Sequence, residues 1–594
     1  MNGGVKFDPE LRALEAMPDG MLRAERPVLL PFMAGRLQGD LSPDGVVELS
    51  VWGCGKLAKV RFSPLRGPLF YGPNRVVGAV GGAHVAQSKP VLLIRGARGG
   101  AVFPAPRSAW WHDAEGLPRP DVRREGKARR VVELGWGAVV VEQRGDDLVL
   151  AAGQSLAEAL DALTLTGDEI VAEADAYVAR CDLMPAADPL LRSMVVQGTH
   201  AALSSIRLGP SGEFAGLAAG QAYSTPARTY YRDGYWTLQP LLTLAPEAVR
   251  EQIRMLAKGV QPDGEAPSGV ILSGKAQSVA WAKFRDHPDR YKEHHLRPGD
   301  WWSDHFDSPL FLVLALGDYV RATGDTEELR LHWPVVTAIL ERYFALAGPA
   351  GLPLKPRHDR DWADNVFREG LVSYDIGLWV GALDAVVEFG GDIDAALVAR
   401  AKAAAKAARV AIDEQLWVKE RGWYADFITP DGFAEDHLMI DSLTLLRYGA
   451  IPEAKAAKLL DTVAATLESR NNEAQPYGDW GVLCAYPPYK RPKDIRAKTA
   501  FAFRYHNGAD WPYLDGLYAE ERLRRGLGGA HYALTRWWEM CLASGWAGAV
   551  EYYSPPFGRG SLLQGWSGMP AAVAVKYGRE AVLAPASRGK GAAK

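Results

Sequence analysis

The spacing of hydrophobic residues changes at about residue 175 and separates the chain into two regions. From about residue 23 up to that point, short apolar runs such as VVELSVWG, KVRFSPL and RRVVELGWGAVVVEQRG are separated by glycines and prolines. Short, regularly spaced runs of this kind between turn residues are typical of antiparallel strands in a β-sandwich. The pattern therefore predicts an N-terminal β-sandwich domain over residues 1–175.

The pattern beyond residue 185 is helical almost to the end of the chain. Pro or Asp stands near the start of several apolar-periodic stretches, and both are common at helix N-termini. We predict helices over 246–260, 308–323, 326–346, 374–388, 394–416, 436–448, 452–468, 510–527, 529–544 and 568–576. Residues 156–184 are predicted to form a helical linker, residues 185–580 a second domain, and residues 581–594 a disordered tail.

The helices follow one another without intervening long strands, which does not fit a doubly wound α/β fold. They are joined by long loops rich in Trp, Asp, Gly and Pro. A helical array whose loops gather at one end fits this pattern better, because loops carry chemistry when a rigid scaffold presents them. The predicted fold class is therefore mainly α, preceded by the sandwich.

Charge and cysteine content exclude several classes of function. The 594-residue chain carries 68 Lys and Arg against 71 Asp and Glu, a formal net charge of −3. This balance supplies no basic surface, so neither nucleic acid nor an anionic membrane is predicted as a partner. The four cysteines form no CxxC pair, which argues against a zinc site and against a disulfide framework.

The N-terminal segment and the hydropathy give an expectation about location. The first residues include acidic side chains and no apolar stretch, so no signal peptide is predicted. No apolar run reaches the roughly 20 residues that a membrane span needs. We expect a cytoplasmic protein with buried free thiols.

Aromatic content points towards carbohydrate. The chain has 19 Trp, 22 Tyr and 17 Phe, and many of the tryptophans stand beside Asp, Arg or Gly. Aromatic faces beside carboxylates suit sugar rings, which offer apolar C–H faces and hydroxyls that bind charged groups. A large core that uses much Trp is the alternative explanation.

Four segments at the ends of helical stretches combine acids with aromatics. They are YYRDGYW at 230–236, RHDRDWADN at 357–365, YHNGADWP at 505–512, and EYYSPP at 551–556 followed by QGWSG at 564–568. Each segment alone also fits a structural role, such as an ion pair over an aromatic ring or a turn. Their occurrence in this order favours a shared site.

In these four segments the chain resembles the six-hairpin, (α/α)6-barrel glycosidases, in particular the amylo-α-1,6-glucosidase (glycogen-debranching) and processing α-glucosidase branches. The resemblance spans about residues 185–578, and its last two motifs are the specific ones. It implies an (α/α)6 toroid after the β-sandwich. It also implies an inverting glycoside hydrolase with a small-molecule carbohydrate substrate, most commonly a terminal glucoside.

The resemblance also implies roles for individual residues. A Trp-x-Asp segment supplies the general acid, which corresponds to Asp364, and the Glu-x-Tyr-x-Pro segment supplies the base, which corresponds to Glu551. Asp361 fits the position of the acid about as well, and the sequence does not separate it from Asp364. The residues implied to bind the sugar are Arg232, Asp233, Trp236, Trp362, Tyr505, His506, Asn507, Trp511, Tyr552 and Trp566.

Two carboxyl groups suffice for glycoside hydrolysis if their surroundings separate their pKa values, so no metal and no cofactor are predicted. No EF-hand spacing is present either. Three alternatives remain open: a rhamnosidase-like hydrolase, a glycoside phosphorylase on the same barrel, and a carbohydrate-binding protein without catalysis.

Overall fold

The computed structural model describes residues 13–106, 119–223, 227–272, 300–301, 304–348 and 350–586. The N-terminal part of this range consists of strands. They are β1 Glu15–Ala16, β2 Leu22–Ala24, β3 Leu30–Ala34, β4 Leu37–Ser42, β5 Val46–Val51, β6 Gly55–Phe62, β7 Leu69–Gly72, β8 Arg75–Val77, β9 Gly82–Val85, β10 Val91–Arg95, β11 Gly99–Pro104, β12 Asp121–Glu125, β13 Arg129–Leu134, β14 Gly137–Arg144 and β15 Asp147–Gly153.

These strands form two antiparallel sheets. One has the order β1-β2-β7-β8-β9-β10-β15-β14-β13-β12 and the other the order β11-β6-β5-β4-β3. The sheets pack face to face, since β6 contacts β14 and β5 contacts β15. Burial alternates along β6, as expected for a strand with one face on the core. The prediction of an N-terminal β-sandwich is confirmed.

Helices dominate the rest of the described chain. They are α1 Leu156–Ala162, α2 Gly167–Cys181, α3 Pro189–Ser204, α4 Tyr231–Leu244, α5 Pro246–Ala257, α6 Ser308–Thr323, α7 Thr326–Leu346, α8 Ser373–Phe389, α9 Ala395–Gln415, α10 Thr444–Arg447, α11 Glu453–Thr466, α12 Pro512–Arg524, α13 Ala530–Ala543 and α14 Met569–Leu583. Helices α1 and α2 lie against the larger sheet, where they contact β15 and β10.

Short strands stand in the loops between the helices. They are β16 Ile206–Leu208, β17 Phe214–Leu217, β18 Arg228–Tyr230, β19 Gly269–Ile271, β20 Asp300–Trp301, β21 Lys355–His358, β22 Arg368–Val372, β23 Trp417–Val418, β24 Trp423–Tyr424, β25 Phe427–Ile428, β26 Ala434–Glu435, β27 Leu438–Met439, β28 Ala485–Tyr486, β29 Tyr553–Ser554 and β30 Gly558–Arg559.

The helices from α3 onward alternate between an inner and an outer position. The inner helices α4, α6, α8, α10, α12 and α14 contact one another in that order, and α14 returns to α4. Each remaining helix lies outside this ring; for example, α9 packs on α8, and α13 packs on α12 and α14. The loops before the inner helices all open at the end where those helices begin, so the polar segments of the sequence meet there.

The predicted helices are mostly present, and two of them differ markedly in extent. The 230–236 segment was not among the predicted helices, but α4 begins within it, at Tyr231. The helix expected over 436–448 is reduced to α10, because β27 pairs with β28 just before it. Helix α14 extends to Leu583 through Gly578, whose φ of +79° is not helical. Residues 587–594 of the expected tail lie outside the described residues.

The structure also bears on cysteine pairing and hydropathy. Cys54, Cys181, Cys484 and Cys541 are buried and unpaired, as expected. Within the described ranges, no helix combines the length and apolarity that crossing a membrane would require.

Candidate active site

A cavity of about 250 Å³ opens at the end of the ring where the inner helices begin. This volume is near the lower end of ligand pockets in proteins and has room for one small ring. Its walls come from all four acid–aromatic segments, from the segment before α4, and from Ser268 and His305 in the connections that precede α6. The lining residues are Ala219, Tyr223, Arg228, Tyr230, Arg232, Asp233, Ser268, His305, Trp362, Asp364, Tyr505, His506, Trp511, Glu551 and Trp566.

Glu551 lies on one side of this pocket, held by a donor on each carboxylate oxygen. The Tyr223 hydroxyl donates to Oε1 at 3.0 Å, and the backbone N–H of Ser561 donates to Oε2 at 2.9 Å. Burial raises the pKa of Glu551, and this effect exceeds the lowering by Lys498 and by the two hydrogen bonds. Two donors fix the carboxylate geometry and suit its ionised form.

Asp364 lies on the pocket wall formed by the 357–365 segment. His506 Nε2 is 2.9 Å from its Oδ1, whereas its Oδ2 has only a long contact, 3.3 Å, from the Tyr505 hydroxyl. Burial alone would raise the pKa of Asp364, but His506, Arg232 and Lys498 lower it below its ordinary value. Burial also lowers the pKa of His506, against the raising effect of Asp364. The side chain of Asp364 is 23% exposed, which places it nearer the mouth than His506 at 1%.

Arg232 and Asp233 occupy the first turn of α4 and face the same pocket. Asp307 accepts two hydrogen bonds from the Arg232 guanidinium, at 2.6 and 3.2 Å, and this pairing fixes the orientation of the arginine. The Gln564 amide donates to Asp233 at 3.0 Å. Burial raises the pKa of Asp233 to about 7. An arginine and a carboxyl side by side can together donate to and accept from neighbouring sugar hydroxyls.

The pocket walls are aromatic. The His506 ring stacks on Trp511 at 4.8 Å between centroids and meets the edge of Trp362 at 4.5 Å. Trp566 lies edge-on to Trp511 at 5.8 Å. Together these rings offer the apolar faces that pyranose C–H groups contact.

Asp361 does not reach this pocket, because other side chains already bind it. Arg368 donates to both of its oxygens, at 3.0 and 3.1 Å, and Lys355 Nζ is 3.4 Å away. Arg368 also donates to Asp426 at 2.7 Å and to Asp441 at 2.9 Å. These cations hold the pKa of Asp361 well below its ordinary value. A carboxylate bound in this way is an anchor for the loop that carries Asp364.

This ionic cluster leads to a prediction about stability. Arg368→Met would leave three buried carboxylates without their shared cation, which should cost about 3–5 kcal/mol of unfolding free energy. Arg98→Met, which removes an exposed ion pair with Asp146, should cost less than about 1 kcal/mol. Urea unfolding followed by circular dichroism compares the two variants. Equal shifts of the unfolding midpoint would show that the buried cluster contributes no more to stability than an exposed ion pair.

Three residues expected in the sugar site lie outside the pocket. Trp236 is one helical turn beyond Arg232 and is packed in the core against Phe311 and Tyr513. Asn507 ties its own loop together by accepting from the Tyr489 N–H and donating to the Thr499 carbonyl. Tyr552 does not line the pocket, and its ring centroid lies 5.2 Å from that of Trp511.

Several pocket residues carry no motif in the sequence. Tyr223 and Arg228 precede the 230–236 segment, and the spacing of aromatics and arginine there is the only signal that could have identified them. Two hydrogen bonds of the nearby Gln221 hold Tyr223 within reach of Glu551. The Gln221 N–H donates to the Leu562 carbonyl, and the Gln221 amide donates to the Gly39 carbonyl of β4.

A larger cavity of about 830 Å³ opens at the opposite end of the ring, where the inner helices end. Its charged lining is already paired: Glu520 binds both Arg447 and Lys576, and Arg321 binds Asp318. It therefore lacks the convergent carboxyl pair of the smaller pocket. Nowhere in the described part of the chain do three or more His, Cys, Asp or Glu side chains form a group that could hold a metal ion.

Comparison with known proteins identifies the fold. No protein-family model matches the sequence, and no curated protein matches it. A bacterial glucoamylase in complex with acarbose superposes with a TM-score of 0.61 at 11% identity, over 96% of this chain and 94% of that one. A rhamnosidase from Klebsiella oxytoca with bound rhamnose superposes with a TM-score of 0.51 at 13% identity, over 93% and 96%. At such identities the likeness shows a shared fold, and the coarser expectation of a β-sandwich followed by a helical domain is confirmed.

Proposed function

We propose that this protein is an inverting, exo-acting glycoside hydrolase with an (α/α)6 toroid as its catalytic domain. It would release one terminal sugar, with an α-glucoside as the first substrate to test. The closed ring of inner helices supports the toroid, with residues 1–175 as the sandwich domain and residues 185–580 as the catalytic domain.

One observation carries the proposal: Asp364 and Glu551, which are 551 − 364 = 187 positions apart, line the same small aromatic pocket. Hydrolysis with inversion needs a carboxylic acid at the glycosidic oxygen and a carboxylate that activates water on the opposite face of the ring. The pocket is large enough for one ring, which supports cleavage at a chain end.

Hydrogen bonding supports a specific division of roles. The Glu551 carboxylate accepts two hydrogen bonds, so it is suited to remain ionised and to take a proton from water. Oδ2 of Asp364 has only the long contact from Tyr505, so it can carry the proton for the leaving oxygen. We propose Asp364 as the acid and Glu551 as the base, with Asp361 as the anchor of the acid's loop.

The pKa directions oppose this division, since the pKa is lowered at Asp364 and raised at Glu551. Only a fraction of the molecules would then have Asp364 protonated and Glu551 ionised, as the proposed roles require. Desolvation of Asp364 by a bound sugar would raise its pKa and increase that fraction. The reverse assignment, with Glu551 as the acid, is distinguished by the leaving-group experiment described in the Discussion.

The activity is tested by a screen of α- and β-glycosides, with glucosides and rhamnosides in both sets, followed by NMR of the first anomer released. We expect hydrolysis without added phosphate and a product anomer opposite to that of the substrate. Retention of configuration would contradict the proposed mechanism. A strict requirement for phosphate would instead indicate a phosphorylase, and sugar binding without cleavage would indicate a binding protein.

Tyr223→Phe removes a hydrogen bond that stabilises the ionised form of Glu551. The pKa of Glu551 should therefore rise, and the limb of the kcat/KM profile that reports Glu551 should move to higher pH. Because the base must be ionised to act, activity below that limb should fall roughly tenfold. An unmoved limb would show that Tyr223 does not act on Glu551.

Gly560 leaves no room for a side chain beside Glu551. A Cβ there would lie 2.3 Å from Glu551 Oε2 and 2.7 Å from its Cβ. Gly560→Ala should displace the carboxylate and lower kcat about 100-fold. Gly391→Ala, where a Cβ meets nothing within 4 Å, is the matched control and should retain full activity. Similar kcat values for both variants would contradict the tight placement of Glu551.

A further inference from the structure

Two exposed phenylalanines stand together outside the pocket. Phe501 is 52% exposed and Phe557 is 43% exposed, and their ring centroids are 5.7 Å apart. Large apolar side chains that cluster at the surface commonly mark a binding site. Phe501 belongs to the segment that leads into His506, and Phe557 lies in the hairpin between β29 and β30 that follows Glu551.

The two segments that carry this aromatic pair also supply Tyr505 and Glu551 to the pocket. Tyr505, which lines the pocket, has its ring centroid 5.1 Å from that of Tyr552. Lys498 Nζ lies 3.8 Å from the centre of the Tyr505 ring and 5.4 Å from that of Tyr552. The two loops are fixed to each other, since the Ser554 hydroxyl donates to the Phe503 carbonyl. The exposed rings therefore stand on two linked loops that also carry the pocket residues Tyr505 and Glu551.

Two cations accompany the rings. The Arg504 guanidinium carbon lies 4.8 Å from the centre of the Phe557 ring and 5.5 Å from that of Phe501. In the part of the chain that the structure describes, no carboxylate lies within 4 Å of the charged nitrogens of Arg504 or Lys498. By contrast, Arg232 on the pocket wall is bound by Asp307. The surface formed by Lys498, Phe501, Arg504 and Phe557, here called the rim platform, thus combines exposed aromatic rings with Arg504, a cation that forms no ion pair with the described carboxylates.

We propose that the rim platform binds the leaving-group half of the substrate and that this half is an aromatic ring carrying a carboxylate. The inference rests on the proposed function, because a leaving group exists only if the pocket cleaves a glycoside. A planar aglycone would pack against Phe501 and Phe557, as aromatic rings do in proteins. Its carboxylate would pair with Arg504, whose planar fork matches a carboxylate. A second neutral sugar would leave the charge of Arg504 without a partner.

The first test compares variants on a set of glycosides that share one sugar. The aglycones are methyl, phenyl, 4-carbamoylphenyl and 4-carboxyphenyl. For each substrate, kcat/KM of the variant is divided by that of the wild type, so the intrinsic reactivity of the leaving group cancels. The double variant Phe501→Ala/Phe557→Ala should lose about tenfold on the three aryl glycosides and less than about twofold on the methyl glycoside.

Charge is tested separately with Arg504→Gln. This variant should lose about 3- to 10-fold on the 4-carboxyphenyl glycoside and should retain the wild-type rate on the 4-carbamoylphenyl glycoside. Phe103→Ala is the matched control, since Phe103 is 47% exposed on the sandwich and also has an arginine, Arg61, over its ring at 5.6 Å. It should change no ratio. Equal losses on all four substrates, or no loss on any, would overturn the inference while leaving the glycosidase activity established.

A binding measurement tests the rim platform independently of catalysis. Saturation-transfer NMR with 4-hydroxybenzoate should show binding to the wild type and to Phe103→Ala, and a loss of the signal in the double phenylalanine variant. If no glycoside is cleaved, the proposed function is wrong, and this measurement still decides whether the surface binds an anionic aromatic ring. An unchanged signal in the double variant would overturn the inference.

Discussion

Replacement of Glu551 by Gln is expected to lower kcat by about 10²- to 10⁴-fold, the range over which general acid–base groups contribute. The amide keeps the shape of the side chain but cannot take a proton from water. The hydrogen bond from the Ser561 N–H can persist on the amide oxygen, so the loop should keep its conformation. The measurement is kcat on the best glycoside of the screen, together with circular dichroism to confirm that the fold is retained.

Glu473→Gln provides the matched control for this substitution. Glu473 is an exposed glutamate in another loop of acidic and aromatic residues, outside the pocket. Its replacement should leave kcat within about twofold of the wild type, as expected for a surface substitution. A Glu551→Gln variant that keeps more than a tenth of the wild-type kcat would exclude Glu551 as the base.

Much of the architecture could be predicted because local signals and tertiary packing agree. The helix over 326–346 is an example: Asp325 caps it by accepting from the Glu328 N–H, and the structure has the same boundaries. The helix expected over 436–448 shows the opposite case. His437 and Asp441 there belong to the buried cluster around Arg368, and these tertiary contacts, together with the pairing of β27 with β28, override the local helical pattern.

The candidate site could be predicted where residues that meet in the pocket also lie close together in the sequence. The 505–512 segment supplies Tyr505, His506 and Trp511 to one wall, so its motif and its geometry coincide. Tyr223 could not be found in this way, because its role depends on the distant Glu551 and on the β4 contact of Gln221.

The ambiguity between Asp361 and Asp364 also has a physical origin. Both aspartates flank Trp362 in the same loop, so motif spacing treats them alike. What distinguishes them is Arg368. This arginine binds Asp426 and Asp441, which come from later parts of the chain, and it also binds Asp361. Contacts between residues this far apart leave no local pattern in the sequence.

Replacement of Asp364 is the second substitution for which we expect a large loss of kcat. Asp364→Asn should lower kcat about 10³-fold on a glycoside with a poor leaving group such as methanol, because no acid protonates the departing oxygen. On a glycosyl fluoride or a 2,4-dinitrophenyl glycoside, whose leaving group departs without a proton, the loss should be less than about tenfold. Glu551→Gln should show its full loss of kcat on all of these substrates, since water must be activated in every case.

Asp361→Asn completes the comparison, because an anchor acts on the loop and not on the leaving group. Weakening its bonds to Arg368 and Lys355 should lower stability and reduce activity by the same factor on every substrate. If Asp361→Asn instead showed the dependence on leaving group, Asp361 would be the acid. If Glu551→Gln showed it, the raised pKa of Glu551 would be that of the proton donor and the two roles would be exchanged. The slope of log kcat against leaving-group pKa in the three variants therefore assigns the acid, the base and the anchor in one experiment.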